Sequence, residues 1–76
     1  MRPRGESAVG ALRAELRRVE REMILDALAD AGGRRKDAAN ALGISRKGLW
    51  ERMRALGVTS EDIARREGER LRAGVA

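Results

Sequence analysis

Residues 33–57, GRRKDAANALGISRKGLWERMRALG, read as two short helices joined by a tight turn. Leu42-Gly43-Ile44-Ser45 sets a glycine directly after a helical Ala-Ala-x-Ala-Leu run. At that place the chain must take a left-handed conformation, which costs glycine almost nothing and other residues more. Ser45 follows two residues later, with a side-chain oxygen able to accept from the free amides that open the next helix. The first helix is therefore predicted to stop at Leu42 and the second to start at Arg46.

Positions three and four apart are neighbours on a helix surface. Ala38, Ala39 and Leu42 thus share one face of the first helix, and Leu49, Met53 and Leu56 one face of the second. Small alanines let the helices approach closely, and the turn is too short for an antiparallel pair, so a steep helix-turn-helix crossing is expected. Arg46, Lys47, Gly48, Glu51 and Arg54 are left outward on the second helix.

Seven basic side chains (Arg34, Arg35, Lys36, Arg46, Lys47, Arg52, Arg54) and two acidic ones (Asp37, Glu51) give this stretch a net charge of +5, equal to that of the whole chain. A compact basic two-helix unit is the electrostatic footprint of a surface that neutralises phosphates. The alternative at this point is a solvated surface that is merely arginine-rich.

The stretch resembles the helix-turn-helix of the Fis family, shared by the nucleoid protein of that name and the C-terminal DNA-binding domains of NtrC-type, sigma-N-dependent transcriptional activators. The residues that carry the resemblance are Gly32-Gly33, Ala38-Ala39, Leu42-Gly43-Ile44-Ser45-Arg46, Leu49, and Met53 through Gly57; with the upstream helix it covers residues 9–58. It implies that Ser45 and Arg46 approach DNA at the start of a recognition helix. It also implies that Arg34, Lys36, Gly48, Trp50, Glu51 and Arg54 lie near bases or phosphates. Three positions depart from the family pattern: Gly48 where a threonine is common, Trp50 where the nucleoid protein has a basic residue, and Glu51, whose sign is wrong for phosphate. Gly48 either allows close approach to the duplex or leaves reading to Arg46. Trp50 either covers the flank of the hydrophobic seam or meets DNA. Glu51 either accepts from a cytosine amino group or pairs with Lys47.

The major groove of B-form DNA admits an α-helix, and the N-terminal part of the second helix of such a motif meets the base edges. Arg46 is the leading candidate, since arginine can donate two hydrogen bonds to guanine O6 and N7. The expected base contacts are Ser45, Arg46, Lys47 and Gly48, and the expected phosphate contacts Arg34, Arg35, Lys36 and Arg54.

Upstream, Leu12, Leu16, Val19 and Met23 are spaced four, three, four and draw one stripe along a long helix predicted from Ser7 or Ala8 to Ala31. A second stripe, Ile24, Leu28 and Ala31, is displaced around that helix. One helix with two apolar faces needs two partners. The later stripe is assigned to the helix-turn-helix; the earlier one either meets its copy in a second subunit, as the interface of a homodimer, or is covered by the tail. Arg13, Arg17, Arg18 and Arg21, interleaved with Glu15, Glu20 and Glu22, read as a solvated face. After Gly57, Thr59-Ser60-Glu61-Asp62 has the shape of a helix start, and a short appended helix from about Ser60 to Arg72 is expected to pack weakly through Ile63.

The expected fold is all-α: a long dimerisation helix, a helix-turn-helix, and a short C-terminal helix. Residues 1–7 read as a disordered lead or linker stub, 8–58 as the DNA-binding domain, and 59–76 as appended helix and frayed tail. Seventy-six residues allow one domain with a small core. With no cysteine and no histidine, disulfides, zinc fingers and most catalytic or metal-ligating constellations are excluded. No phosphate-binding glycine loop is present, and no catalytic residue, cofactor, metal or small-molecule substrate is expected. No apolar run is long enough to span a membrane and no signal-peptide core is found, so a cytoplasmic, nucleoid-associated place is expected. A single tryptophan leaves no stacking platform for single strands.

The expectation is sequence-specific double-stranded DNA binding as a homodimer in transcription regulation. The chain is then either a free-standing Fis-like factor, which the initial Met1 favours slightly, or the end of a larger activator that reaches RNA polymerase through its other parts. The rivals are a helical protein-interaction module whose basic face binds an acidic partner, and RNA.

Overall fold

The computed structural model describes residues 4–75, with side chains for 8–74. Four helices follow one another: α1 (Arg4–Asp30), α2 (Arg35–Leu42), α3 (Arg46–Leu56) and α4 (Ser60–Val75). The described residues contain no strand, and the all-α expectation holds. Met1 to Pro3 of the expected lead lie outside the described residues. From Arg4 the backbone is already helical, three residues or more ahead of the predicted start, since among residues 4–8 only Gly5 is a poor helix former.

α1 is the spine, and α2, α3 and α4 all pack on its C-terminal half. Ile24, Leu25, Ala27, Leu28 and Ala31 of α1 are buried with Ala38 and Ala39 of α2, Leu49 and Met53 of α3, Val58, and Ile63 of α4. The second stripe therefore does face the helix-turn-helix. Leu25 and Ala27 join it because this half of α1 is covered by three helices. Residues 8–19 of the same helix are exposed throughout.

Three helices close in the same way. After α2, the Ile44 amide bonds to the Ala39 carbonyl at 3.0 Å and the Gly43 amide to Asn40 at 3.1 Å. This is a Schellman closure. It holds Gly43 at φ +72°, the left-handed region that its place after Leu42 calls for. After α3, Val58 bonds to Met53 at 2.9 Å and Gly57 to Arg54 at 3.3 Å. Val58 and Met53 are both buried, as the apolar contact of this motif requires. After α1, Gly33 bonds to Leu28 and Gly32 to Ala29.

α4 departs most from expectation. It runs to Val75, and it is bound firmly to α1. Arg21 pairs with Asp62 at 2.9 Å, Arg66 with Glu22 and with Asp26 at 2.5 Å, and Arg70 with Asp26 at 3.2 Å and with Asp30. Partners advance together along both helices, so α1 and α4 run in the same direction. Arg66 and Arg70 of α4 are thus matched to acids about 40 residues away, where a reading of the tail alone sees only acids and bases that cancel locally.

Candidate nucleic-acid interface

The site is built by the turn between α2 and α3. Ser45, in an extended conformation at φ −75° and ψ 161°, caps α3: its Oγ accepts the Gly48 amide at 2.9 Å. The expected boundaries, Leu42 and Arg46, are those observed. A Cβ on Gly48 would stand 3.1 Å from Ser45 Oγ, so the bare backbone at this position leaves the capping hydroxyl unpressed.

Charge at the helix starts is distributed unevenly. A helix N-terminus carries partial positive charge and favours acids. α4 obeys this rule, with Glu61 and Asp62 in its first turn. α3 breaks it: its first turn holds Arg46 and Lys47 and no acid. At the start of α2, Arg34 occupies the cap position without a side-chain capping bond, followed by Arg35 and Lys36, with Asp37 as the one acid. Both helices of the motif therefore aim cations and free amides into solvent at their starts, an arrangement that an incoming phosphate relieves.

Arg34, Arg35, Lys36, Arg46, Lys47 and Arg54 are all exposed. Arg34 is paired with Asp37 at 2.8 Å, and Arg52 with Glu20 of α1 at 2.6 Å. Among the described residues, Arg35, Lys36, Arg46, Lys47 and Arg54 have no carboxylate partner. The expected pair between Lys47 and Glu51 is not formed among them. Glu51 instead lies on the side of α3 that turns toward α1, lining a shallow cleft with Gly48, Arg52, Ala55, Leu56, Arg17 and Glu20.

Trp50 does not cover the core. It is 52% exposed, and the Arg54 guanidinium lies 4.9 Å from the centre of its ring. This stack was not legible in the sequence beyond the four-residue spacing of the two side chains.

The polar side of α1 is more than a solvated face. Arg17 donates to the Ala55 carbonyl at 3.2 Å and so holds the C-terminal turn of α3, while Glu20, Arg21 and Glu22 bind α3 and α4. Arg18, by contrast, pairs within its own helix, with Glu15. Leu12, Leu16, Val19 and Met23 are left bare at 57%, 58%, 42% and 56% exposure. The tail helix does not cover them, which removes that alternative. Met23 also borders an apolar groove with Ile24, Leu42 and Ile44, edged by Glu20 and Arg52.

A capped, base-led second helix packed across a first one on a long supporting helix defines a helix-turn-helix DNA-binding domain of bacterial transcription regulators. The family described as "Bacterial regulatory protein, Fis family" matches residues 15–56, and the chain belongs to that family. It is similar to the response regulator protein FleR of Pseudomonas aeruginosa, with 51% identity over 45 residues, 59% of this chain. The chain spans 10% of the length of that relative. No solved structure matches the chain. The family match ends at the last residue of α3, so α4 lies beyond it.

Proposed function

We propose that this domain binds specific double-stranded DNA sites as a homodimer and regulates transcription, with the start of α3 in the major groove. The observation that carries the reading is the first turn of α3, where Arg46 and Lys47 stand exposed against the helix dipole with no acid beside them. Arg46 and Lys47, with Ser45 beside them, meet base edges, and Gly48 leaves the backbone room to approach. Arg34, Arg35, Lys36 and Arg54 meet phosphates.

The homodimer is supported by the bare stripe of Leu12, Leu16, Val19 and Met23. Two copies related by a twofold axis bury it against itself. Each side chain fully removed from water contributes about 1.5–3 kcal/mol. Such a pair sets two recognition helices in successive major grooves, about 34 Å apart.

The resemblance to part of a response regulator supports a domain that works at the end of a larger activator of the sigma-N-dependent type, whose other parts contact RNA polymerase. A free-standing Fis-like factor is the alternative. Either acts on the bacterial chromosome, in the cytoplasm.

Selection from random duplexes tests the proposal. The expected product is a partly palindromic site with half-site centres about 34 Å apart, bound with an affinity that falls steeply with salt. Equal affinity for all duplexes would remove sequence specificity. No binding at low salt would move the search to an acidic protein partner.

A further inference from the structure

Trp50 is the chain's single aromatic residue, and it stands on α3 outside the core. At 3.6 residues per turn, Arg46, Trp50, Arg54 and Lys47 fall within an arc of roughly 100°, and all four are exposed. On one side of that arc lie the buried Leu49 and Met53; on the other lie Glu51 and Ala55, turned toward α1. Arg54 covers part of the indole, with its guanidinium 4.9 Å from the ring centre. The remainder is an apolar surface framed by cations.

That frame fits DNA better than a protein. The exposed apolar side chains of α1 form a stripe of their own along that helix, from Val9 to Met23, whereas around Trp50 the exposed residues of its arc are Arg46, Lys47 and Arg54. A major groove meets both features at once, with phosphates for the cations and one apolar group at the base edges, the 5-methyl of thymine.

Resting on the DNA-binding reading above, we infer that Trp50 is a specificity-determining residue whose indole packs against a thymine 5-methyl group, while Arg54, held on the ring, reaches a phosphate. Trp50 follows Arg46 by four residues, about 6 Å along the helix axis at 1.5 Å per residue. Base pairs are spaced about 3.4 Å apart. The thymine therefore stands within about two base pairs of the one that Arg46 reads.

The test uses this 76-residue chain and a duplex enriched from a random pool. Trp50 emission is followed during titration, and each thymine is then replaced singly by deoxyuridine, which keeps the pairing and removes the methyl. The expected result is an emission change on binding. One thymine, within about two base pairs of the Arg46 contact, should on replacement weaken the wild type about fourfold, the worth of one buried methyl group. The same replacement should leave Trp50→Ala unaffected. Because Trp50 is outside the core the variant should fold, and the deoxyuridine series on the wild type stands without it. Emission that ignores a discriminated duplex, or an equal loss in both proteins, overturns the inference and leaves DNA binding intact. A chain that binds no duplex at low salt overturns the DNA reading and this inference together.

Discussion

Ser45 Oγ accepts the backbone N–H of Gly48 at 2.9 Å, and this bond sets both where α3 begins and which side chain leads it. Ser45→Ala should lower the unfolding free energy by about 1 kcal/mol, the usual worth of an N-cap. Ser45→Asp keeps a capping oxygen and should keep the stability, yet it puts a negative charge beside the proposed phosphate path. Urea denaturation and DNA titration of both variants check the pair. Alanine should lose stability and aspartate affinity; a tight-binding aspartate variant contradicts the placement of α3.

α4 is bound to the body by an apolar contact and a ladder of charges. Ile63 is buried, and Ile63→Ala should destabilise by about 2–5 kcal/mol. Arg66 lies against Glu22 and Asp26 with 20% of its side chain exposed, and these carboxylates hold its guanidinium more firmly charged than usual. Arg66→Ala should cost roughly 1 kcal/mol, with the loss shrinking as salt rises. Arg18, whose Glu15 partner is in its own helix and equally exposed, should be replaceable without measurable effect. Thermal melts across a salt series compare the three.

Acid should loosen the start of α4. The Asp62 carboxylate accepts from the Thr59 amide and from the Thr59 hydroxyl, each at 3.0 Å. These bonds, with Arg21 and Arg65 nearby, hold its carboxyl below the usual carboxylate range. A carboxyl depressed on folding contributes stability that is present above its unfolded pKa, near 3.9, and is lost as pH falls through its folded value. Melting temperature should therefore drop below about pH 4, and Asp62→Asn should show a smaller drop. Parallel pH profiles for wild type and variant would contradict the assignment.

The bare stripe of α1 should decide the oligomeric state. Leu16 is 58% exposed in the single chain, so Leu16→Glu leaves the fold of one subunit intact and sets like charges against each other across a twofold axis. Sedimentation should show the wild type as a dimer and the variant as a monomer. The variant should bind half-sites and lose the advantage of a palindrome. A dimeric Leu16→Glu protein would place the interface elsewhere.

The parts legible in the sequence are those governed by neighbours along the chain. Gly43 and Ser45 mark the turn because left-handed glycine and a capping hydroxyl act locally, and both ends of it appear at the expected residues. The two stripes of α1 follow from helical spacing and separate into a buried and a bare face. What the sequence hides is decided at long range. Arg17 finds the Ala55 carbonyl 38 residues away, and Arg66 and Arg70 find acids 40 to 44 residues away. These charges look like a solvated face until α3 and α4 are in place. Trp50, one residue after the buried Leu49, could belong to seam or surface by spacing alone, and only the packed position of α3 puts it outside.

Arg46, at the start of α3, is proposed to read a base. Its most direct test is the binding of wild type and Arg46→Ala to an enriched site and to random-sequence duplex across a salt series. The variant should lose about 1–3 kcal/mol of preference for the enriched site while its salt-dependent binding to random duplex persists. A variant that keeps the full preference would contradict the placement of α3 in the major groove.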